Sequence, residues 1–345
     1  GIIELTNVKV EQKGMYTAPY NSMAISVNGG GTVTVNSGTY STECITAEEA
    51  NNQGTSHGPW CAGVLNSGGT LIIKGGTFSN DNFGENTLAT YARGLLLADT
   101  GANIQIQGGT FNAVKAIVDI QNNLGDASKN PSATISGGNF SANPLTWDGL
   151  IKVADGYAVE EDNGVWTVVK AYELTENSAT IYSAAGMFWF ANEVNVNKNA
   201  FNGKTVKLAN NIDLENAAWT PVGQTGATTF NGVFDGQNYT IYNLNVNSEA
   251  QTGAHYSSGL FGWVESHTAG HGHLKNVTIN GATIVGHHNC AALVGYITQE
   301  TALVENCHVT GAAVSCTYAN GDADGDKTGA LIGNATVATP VKNCT

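Results

Sequence analysis

The chain has 345 residues and a net charge of −14, with 14 Lys plus Arg against 28 Asp plus Glu. Cations this sparse, with Arg93 the sole arginine, exclude a phosphate-binding footprint for nucleic acid, and they disfavour anionic polysaccharides such as pectate for the same reason. The 43 Gly show no three-residue period, Pro is only 6, 41% of residues are apolar and 12% are charged, which excludes collagen and disorder and favours many short strands between glycine turns.

No apolar run approaches the roughly eighteen residues of a membrane-spanning helix, and no signal-peptide pattern opens the chain. The start at Gly1 in a strand and the end at Asn343-Cys344-Thr345 inside a repeat suggest a segment of a longer protein. A signal peptide, an anchor or further repeats would then lie outside it.

The first half repeats one motif: GGGTVTVNSGTY at 29–40, GGTLIIKGGTF at 68–78, GANIQIQGGTF at 101–111 and PSATISGGNF at 131–140. Gly38, Gly76, Gly109 and Gly138 recur at spacings of 38, 33 and 29 residues, and residues 1–8 read as a degenerate earlier copy. Each copy holds about three short β-segments and no helix, so it cannot bury its apolar face without stacking on its neighbours. The expectation is an all-β, right-handed parallel β-helix (solenoid). Val33, Ile72, Ile104 and Ile135 are expected as an inward ladder, and Phe78, Phe111 and Phe140 as an aromatic ladder with Tyr40 at its end. The rival, an open β-sandwich, requires regular Asn-Gly or Asp-Gly hairpins, which are sparse. One hairpin is expected around Asp162-Asn163-Gly164, at the end of this first segment.

Residues 171–200 break the pattern. Met187, Phe188, Phe190, Ala191 and Val194 fall at helical spacing, which predicts a helix near 184–194 with Ser183 as N-cap. Its apolar face is expected to cap an open core. The domain expectation is therefore 1–170, then 171–345 as capping helix plus a second solenoid segment.

That second segment is organised around FNGVFDGQNYTIYNLNV, beginning at Phe230, and SSGLFG ending at Gly262. LKNVTI (274–279) with AALVG (291–295), VENCHV (304–309) with GALIG (329–333), and VKNC (341–344) repeat it. Asn243, Asn276, Asn306 and Asn343 serve as markers at spacings of 33, 30 and 37 residues, and are expected at a corner with satisfied hydrogen bonds. On this alignment Cys307 and Cys344 share a repeat position with Leu244 and Val277, as small buried residues. Cys44 and Cys61 flank a polar loop, where a disulfide and a free pair are both open readings. No CxxC pair occurs.

FNGVFDGQNYTIYNL, SSGLFG, LKNVTI and AALVG resemble the GLUG-motif repeat of bacterial surface proteins. The block from SAAGMFWFANEVN to AWTPVG resembles the segment that leads those repeats. The SGGTF-type copies and GYAVEEDNGVWTV resemble β-helical repeats found upstream in gut Bacteroidetes and related bacteria. The resemblance covers nearly the whole chain. It implies a secreted or surface-attached, adhesin-like protein and transfers no catalytic residue.

Parallel β-helices also include polysaccharide lyases and hydrolases. Gly270-His271-Gly272 matches one short motif of polygalacturonase-type hydrolases, but their Asn-Thr-Asp, Asp-Asp and Arg-Ile-Lys elements do not occur here. Residues 236–300 hold no Asp to face a second carboxyl across a glycosidic bond. Seven of the eight His lie in 255–308, and His267, His271 and His273 have the close spacing that converges on zinc; the competing reading is a solvated glycine-rich loop. Asp322, Asp324 and Asp326 alternate like calcium ligands but lack a later bidentate Glu; a solvated insertion competes. No cofactor is required, and calcium remains a candidate.

The expected function is a non-catalytic, extracellular or bacterial-surface solenoid that binds a glycan or a host or matrix protein. A polysaccharide-degrading β-helix enzyme and a structural stalk are the alternatives. A face of Asn, Thr and Ser carrying Trp or Tyr favours binding. Aligned aromatics with paired carboxylates favour an enzyme. A uniformly polar surface favours a stalk. Trp60, Trp147 and Trp263 are the tryptophans nearest to loops.

Overall fold

The structure is a computed structural model that describes residues 1–12, 23–43, 64–81, 95–113, 117–120, 127–145, 150–250, 256–266, 270–298, 302–316 and 327–345. It forms two compact units, Gly1–Val169 and Lys170–Thr345. Both are mostly strand, and pairing is overwhelmingly parallel. Among the described residues no helix is long and apolar enough to cross a membrane.

In the first unit every third strand pairs, except for the last step of the first sheet. One sheet runs Ile2–Leu5, Thr32–Val35, Thr70–Ile73, Asn103–Ile106, Ser132–Ile135, Ile151–Val153. A second runs Val8–Gln12, Gly38–Glu43, Thr77–Asp81, Thr110–Asn112, Gly138–Phe140, and a third runs Ile25–Asn28, Val64–Ser67, Leu96–Asp99, Val118–Ile120. Each copy thus contributes the three strands that its motif contains. The pairing is in register, so equivalent residues lie side by side.

Val35, Ile73, Ile106 and Ile135 form one fully buried column, and Val33, Leu71, Ile104 and Ala133 form another. The expected inward ladder of Val33, Ile72, Ile104 and Ile135 therefore mixed columns. Ile72 pairs with Thr34 and Gln105, on the outward side of the same strands. The cause is that Leu71, Ile72 and Ile73 are apolar in succession, so both faces of the strand carry an apolar residue and alternation does not mark which one is out.

The aromatic ladder is present. Tyr40, Phe78, Phe111 and Phe140 are buried, with successive ring centroids 5.0, 5.1 and 4.9 Å apart and rings within 16° of parallel. Glycine is needed just before it. Gly109 has φ +110°, and a Cβ there would lie 3.0 Å from the Gly76 carbonyl oxygen and 3.3 Å from the Phe111 ring. The expected hairpin also forms. Tyr157–Asp162 and Val165–Lys170 join through Asn163 and Gly164, both at positive φ, as a two-residue hairpin turn requires. Its second strand runs antiparallel to Gly138–Phe140 and pairs Trp166 with Phe140.

The second unit opens on an antiparallel pair, Tyr172–Leu174 with Ser178–Ile181. The helix Ala184–Asn195 follows. Ser183 is its N-cap in extended conformation but makes no side-chain cap bond. Gly186, Met187, Phe190, Ala191 and Val194 are buried against this unit's core, where the Phe190 ring meets those of Phe201, Phe230, Phe234 and Phe261. Phe188, expected on the same face, is 37% exposed. It lies about 100° round the helix from Met187 and leans on Trp219 instead.

Four strands then recur in order. They are Val233–Tyr242, Asn245–Asn247, Ser257–Ser258 and Phe261–Glu265; then His273–Asn280, Thr283–Gly286, Asn289–Cys290 and Val294–Thr298; then Leu303–Thr310, Ala313–Cys316, Lys327–Thr328 and Ile332–Ala335. Each pairs in parallel with its equivalent one repeat later.

Removing one ring tests the stacked core. Phe111→Ala is expected to cost about 3–5 kcal/mol, and Phe111→Leu clearly less because most of the volume stays. Urea unfolding followed by circular dichroism reads both. A loss below about 1 kcal/mol for the alanine variant would contradict the ladder's role.

Candidate functional site

Among the described residues, the candidate groups considered below lie in the second unit, and its corners set their register. Asn243, Asn276, Asn306 and Asn343 all have φ between 50° and 56°, in the left-handed region that asparagine tolerates better than other non-glycine residues. The side chains of Asn243, Asn276 and Asn306 are engaged. Asn276 Nδ2 donates to Asp235 Oδ1 at 2.9 Å, Asn306 Nδ2 donates to Asn276 Oδ1 at 3.0 Å, and Asn243 Nδ2 donates to Asp213 Oδ1 at 2.8 Å.

The four markers occupy two different corners, not one. Asn276 and Asn306 sit one residue past the paired Lys275 and Glu305, and Asn343 one past Lys342. On the preceding strand that place is a bulge containing Gln237 and Asn238, also at positive φ. Asn243 follows Tyr242, the partner of Asn280, so it lies beside Gly281. Hence Val277 and Cys307 align with Tyr239, not with Leu244. Leu244 precedes the pair Asn245 and Thr283, which places it with Ala282.

The register also aligns charge. Lys207, Asp235, Lys275, Glu305 and Lys342 are successive cross-strand neighbours and alternate in sign. The Lys275 Nζ to Asp235 Oδ2 distance is 3.4 Å, and the Asp235 side chain is only 10% exposed. Burial pushes its pKa up. The Asn276 side chain, the Gln237 main-chain N–H at 3.1 Å, the Gln237 side chain and the Lys275 charge outweigh that and hold it below the usual carboxylate value. Asp235 is thus ionised at neutral pH. General-acid work needs a carboxyl raised towards neutrality, so Asp235 is a structural anion at a corner.

The outward side of the strands Phe261–Glu265, Val294–Thr298 and Ile332–Ala335 differs from this. Trp263, Tyr296 and Asn334 are aligned partners, as are Glu265 and Thr298. All five are half-buried, while Val264 and Ile297 between them are buried in the core. The Trp263 and Tyr296 ring centroids are 4.5 Å apart at 75°. Trp263 Nε1 donates to Thr298 Oγ1 at 3.2 Å, and Thr229 Oγ1 donates to Glu265 Oε2 at 3.1 Å. These bonds fix an aromatic pair beside hydroxyl, amide and carboxylate groups on the strand surface. A separate cleft of about 150 Å³ is lined by Trp219, Thr220, Gln224, Asn245, Asn247 and Ser248, with Ala218 and Pro221. Trp219 itself is buried and its indole donates to the Leu260 carbonyl.

Of the sequence-derived metal candidates, His271 and His273 are described and His267 is not. His271 accepts the Ser266 hydroxyl on its main-chain oxygen at 2.7 Å, and His273 opens the strand His273–Asn280, paired with Val233 and Leu303. Asp322, Asp324 and Asp326 lie outside the described residues, as do Cys44, Cys61, Trp60 and Trp147. Among the described residues no three His, Cys, Asp or Glu gather as a metal would need.

Trp263 was visible in the sequence only as a tryptophan near a loop. Its pairing with Tyr296 needed the register. The signal was there: FGWVE and VGYIT carry an aromatic at the same place in two copies. No protein-family model, curated protein or solved structure matches the chain.

The anionic corner yields a pH prediction. Because the folded pKa of Asp235 is lowered, its contribution to stability is fully present above the unfolded value of about 3.9 and is lost as pH falls through the folded value. Wild type should therefore exceed Asp235→Asn in stability at pH 7, with the gap closing through the acid range. Denaturant melts at several pH values read this, and a gap that does not shrink in acid would overturn the assignment.

Proposed function

We propose that both units are right-handed parallel β-solenoids, and that the chain is a secreted or cell-surface, adhesin-like protein of the GLUG-motif kind. It binds a glycan or a host or matrix protein and does not transform it. The recurrence of three strands in one unit and four in the other, each paired in parallel with its equivalent, supports the coiled path. Parallel crossover connections are right-handed in nearly all cases. The low charge density and the Asn-, Thr- and Ser-rich composition support an extracellular location.

The observation that carries the binding reading is the Trp263–Tyr296 pair with Glu265, Thr298 and Asn334 beside it. Aromatic faces offer apolar contact to the C–H face of a sugar or to a partner's side chain. The neighbouring amide, hydroxyl and carboxylate supply the directional hydrogen bonds that set specificity. Strand-borne side chains are also held more rigidly than loop-borne ones, which reduces the ordering cost of binding.

A glycan array and a panel of extracellular-matrix proteins, with a reducing-sugar assay on the same polysaccharides, test this. The expected result is saturable binding without release of reducing ends. Trp263→Ala and Tyr296→Ala should each weaken binding at least about tenfold, or roughly 1.4 kcal/mol, with near-native circular dichroism. Turnover of any polysaccharide would overturn the non-catalytic reading, and unaltered binding by both variants would overturn the site.

A further inference from the structure

We propose that Cys290 and Cys316 form an intrachain disulfide, a covalent tie between neighbouring strands of the second unit, when the protein meets a disulfide oxidant. The two sulfurs are 3.0 Å apart, with the Cys290 thiol directed at the Cys316 sulfur. About 1 Å remains to be closed to an S–S bond of about 2.05 Å. They come from different strands, Asn289–Cys290 and Ala313–Cys316.

Glycine brings them together. Cys316 pairs directly with Gly286, and a Cβ on Gly286 would lie 2.9 Å from Cys290 Sγ. A side chain there would crowd Cys290 Sγ, and would press still closer on Ser258. The access is asymmetric and suits an exchange reaction. Cys290 is fully buried, whereas Cys316 is half-buried, and its thiol also reaches the His288 carbonyl at 3.2 Å.

The chemistry is two successive exchanges. The Cys316 thiolate attacks one sulfur of the oxidant's disulfide, forming a mixed disulfide and expelling one thiol. Cys290, deprotonated as it attacks, displaces the second thiol from Cys316 and closes the bond. Two thiols of the protein are oxidised and one external disulfide is reduced to two thiols, so protons and electrons balance.

The other described pair behaves differently. Cys307 and Cys344 occupy adjacent copies of one column, and their thiols donate to carbonyl oxygens, Cys307 to Glu305 at 3.3 Å and Cys344 to Lys342 at 3.1 Å. Burial pushes the Cys307 thiol up to about 12, so it remains protonated and a poor nucleophile.

The test uses the full chain, reduced and then exposed to oxidised glutathione. After alkylation, cleavage at Glu and Lys separates Cys290 from Cys316, and fragmentation distinguishes Cys316 from Cys307 on their shared fragment. A Cys290–Cys316 linkage is expected, lost on reduction. Oxidised wild type should melt at a higher temperature than reduced, and Cys316→Ser should remove that difference. Alkylated, unlinked Cys290 and Cys316 after oxidation, or a linkage to Cys307 or Cys344 instead, would overturn the proposal. So would an oxidised wild type that melts no higher than the reduced protein, a comparison that does not depend on the variant folding.

Discussion

In-register parallel pairing between successive copies places each residue beside its own equivalent, about 4.8 Å away, and the remaining features of both units depend on that. A buried position becomes a column, so a single apolar choice is repeated and packed against itself. The Tyr40–Phe78–Phe111–Phe140 stack is the clearest case. A corner also becomes a column. Where the backbone turns at positive φ, the first unit uses mostly glycine, with Asn7 and Asn163, and the second uses asparagine at its repeated corners as well as glycine. Asparagine adds a side-chain amide that bonds along the stack, as from Asn306 to Asn276 to Asp235.

Self-alignment carries a hazard for charge, because a repeated acid or base would face its like. The second unit avoids this by alternating Lys207, Asp235, Lys275, Glu305 and Lys342 along one column. Opposite charges directly across a strand pair are mildly stabilising and like charges the reverse. The alternation therefore also favours the correct order of copies. A parallel stack has exposed backbone groups at each end, a template for unwanted pairing. Antiparallel strands lie at one end of each unit: the hairpin Tyr157–Lys170 in the first, and the pair before the helix Ala184–Asn195 in the second.

Much of this was legible in the sequence. The GGTF copies implied three strands each because glycine marks the corner and alternation marks the strands. The helix was legible because Met187, Phe190, Ala191 and Val194 fall on one stripe. Register was not legible wherever two readings satisfied the same pattern. Thr70-Leu-Ile-Ile73 offers apolar residues on both faces, so the pattern alone does not show that Ile72 faces outward. Asn243 and Asn276 both meet the requirement of a left-handed corner, so the sequence pattern does not separate their two corners or set Leu244 apart from Val277. The Trp263–Tyr296 pair and the Cys290–Cys316 contact depend on which residues become neighbours across 26 or more positions of chain. Composition and periodicity do not determine that.

The most direct test of in-register parallel stacking is nuclear Overhauser contact between the ring protons of Phe111 and those of other aromatic residues in selectively labelled protein. The account predicts contacts from Phe111 to both Phe78 and Phe140, and from Phe78 to Tyr40. Contacts from Phe111 confined to residues within a local hairpin, or to one of the two phenylalanines only, would contradict it.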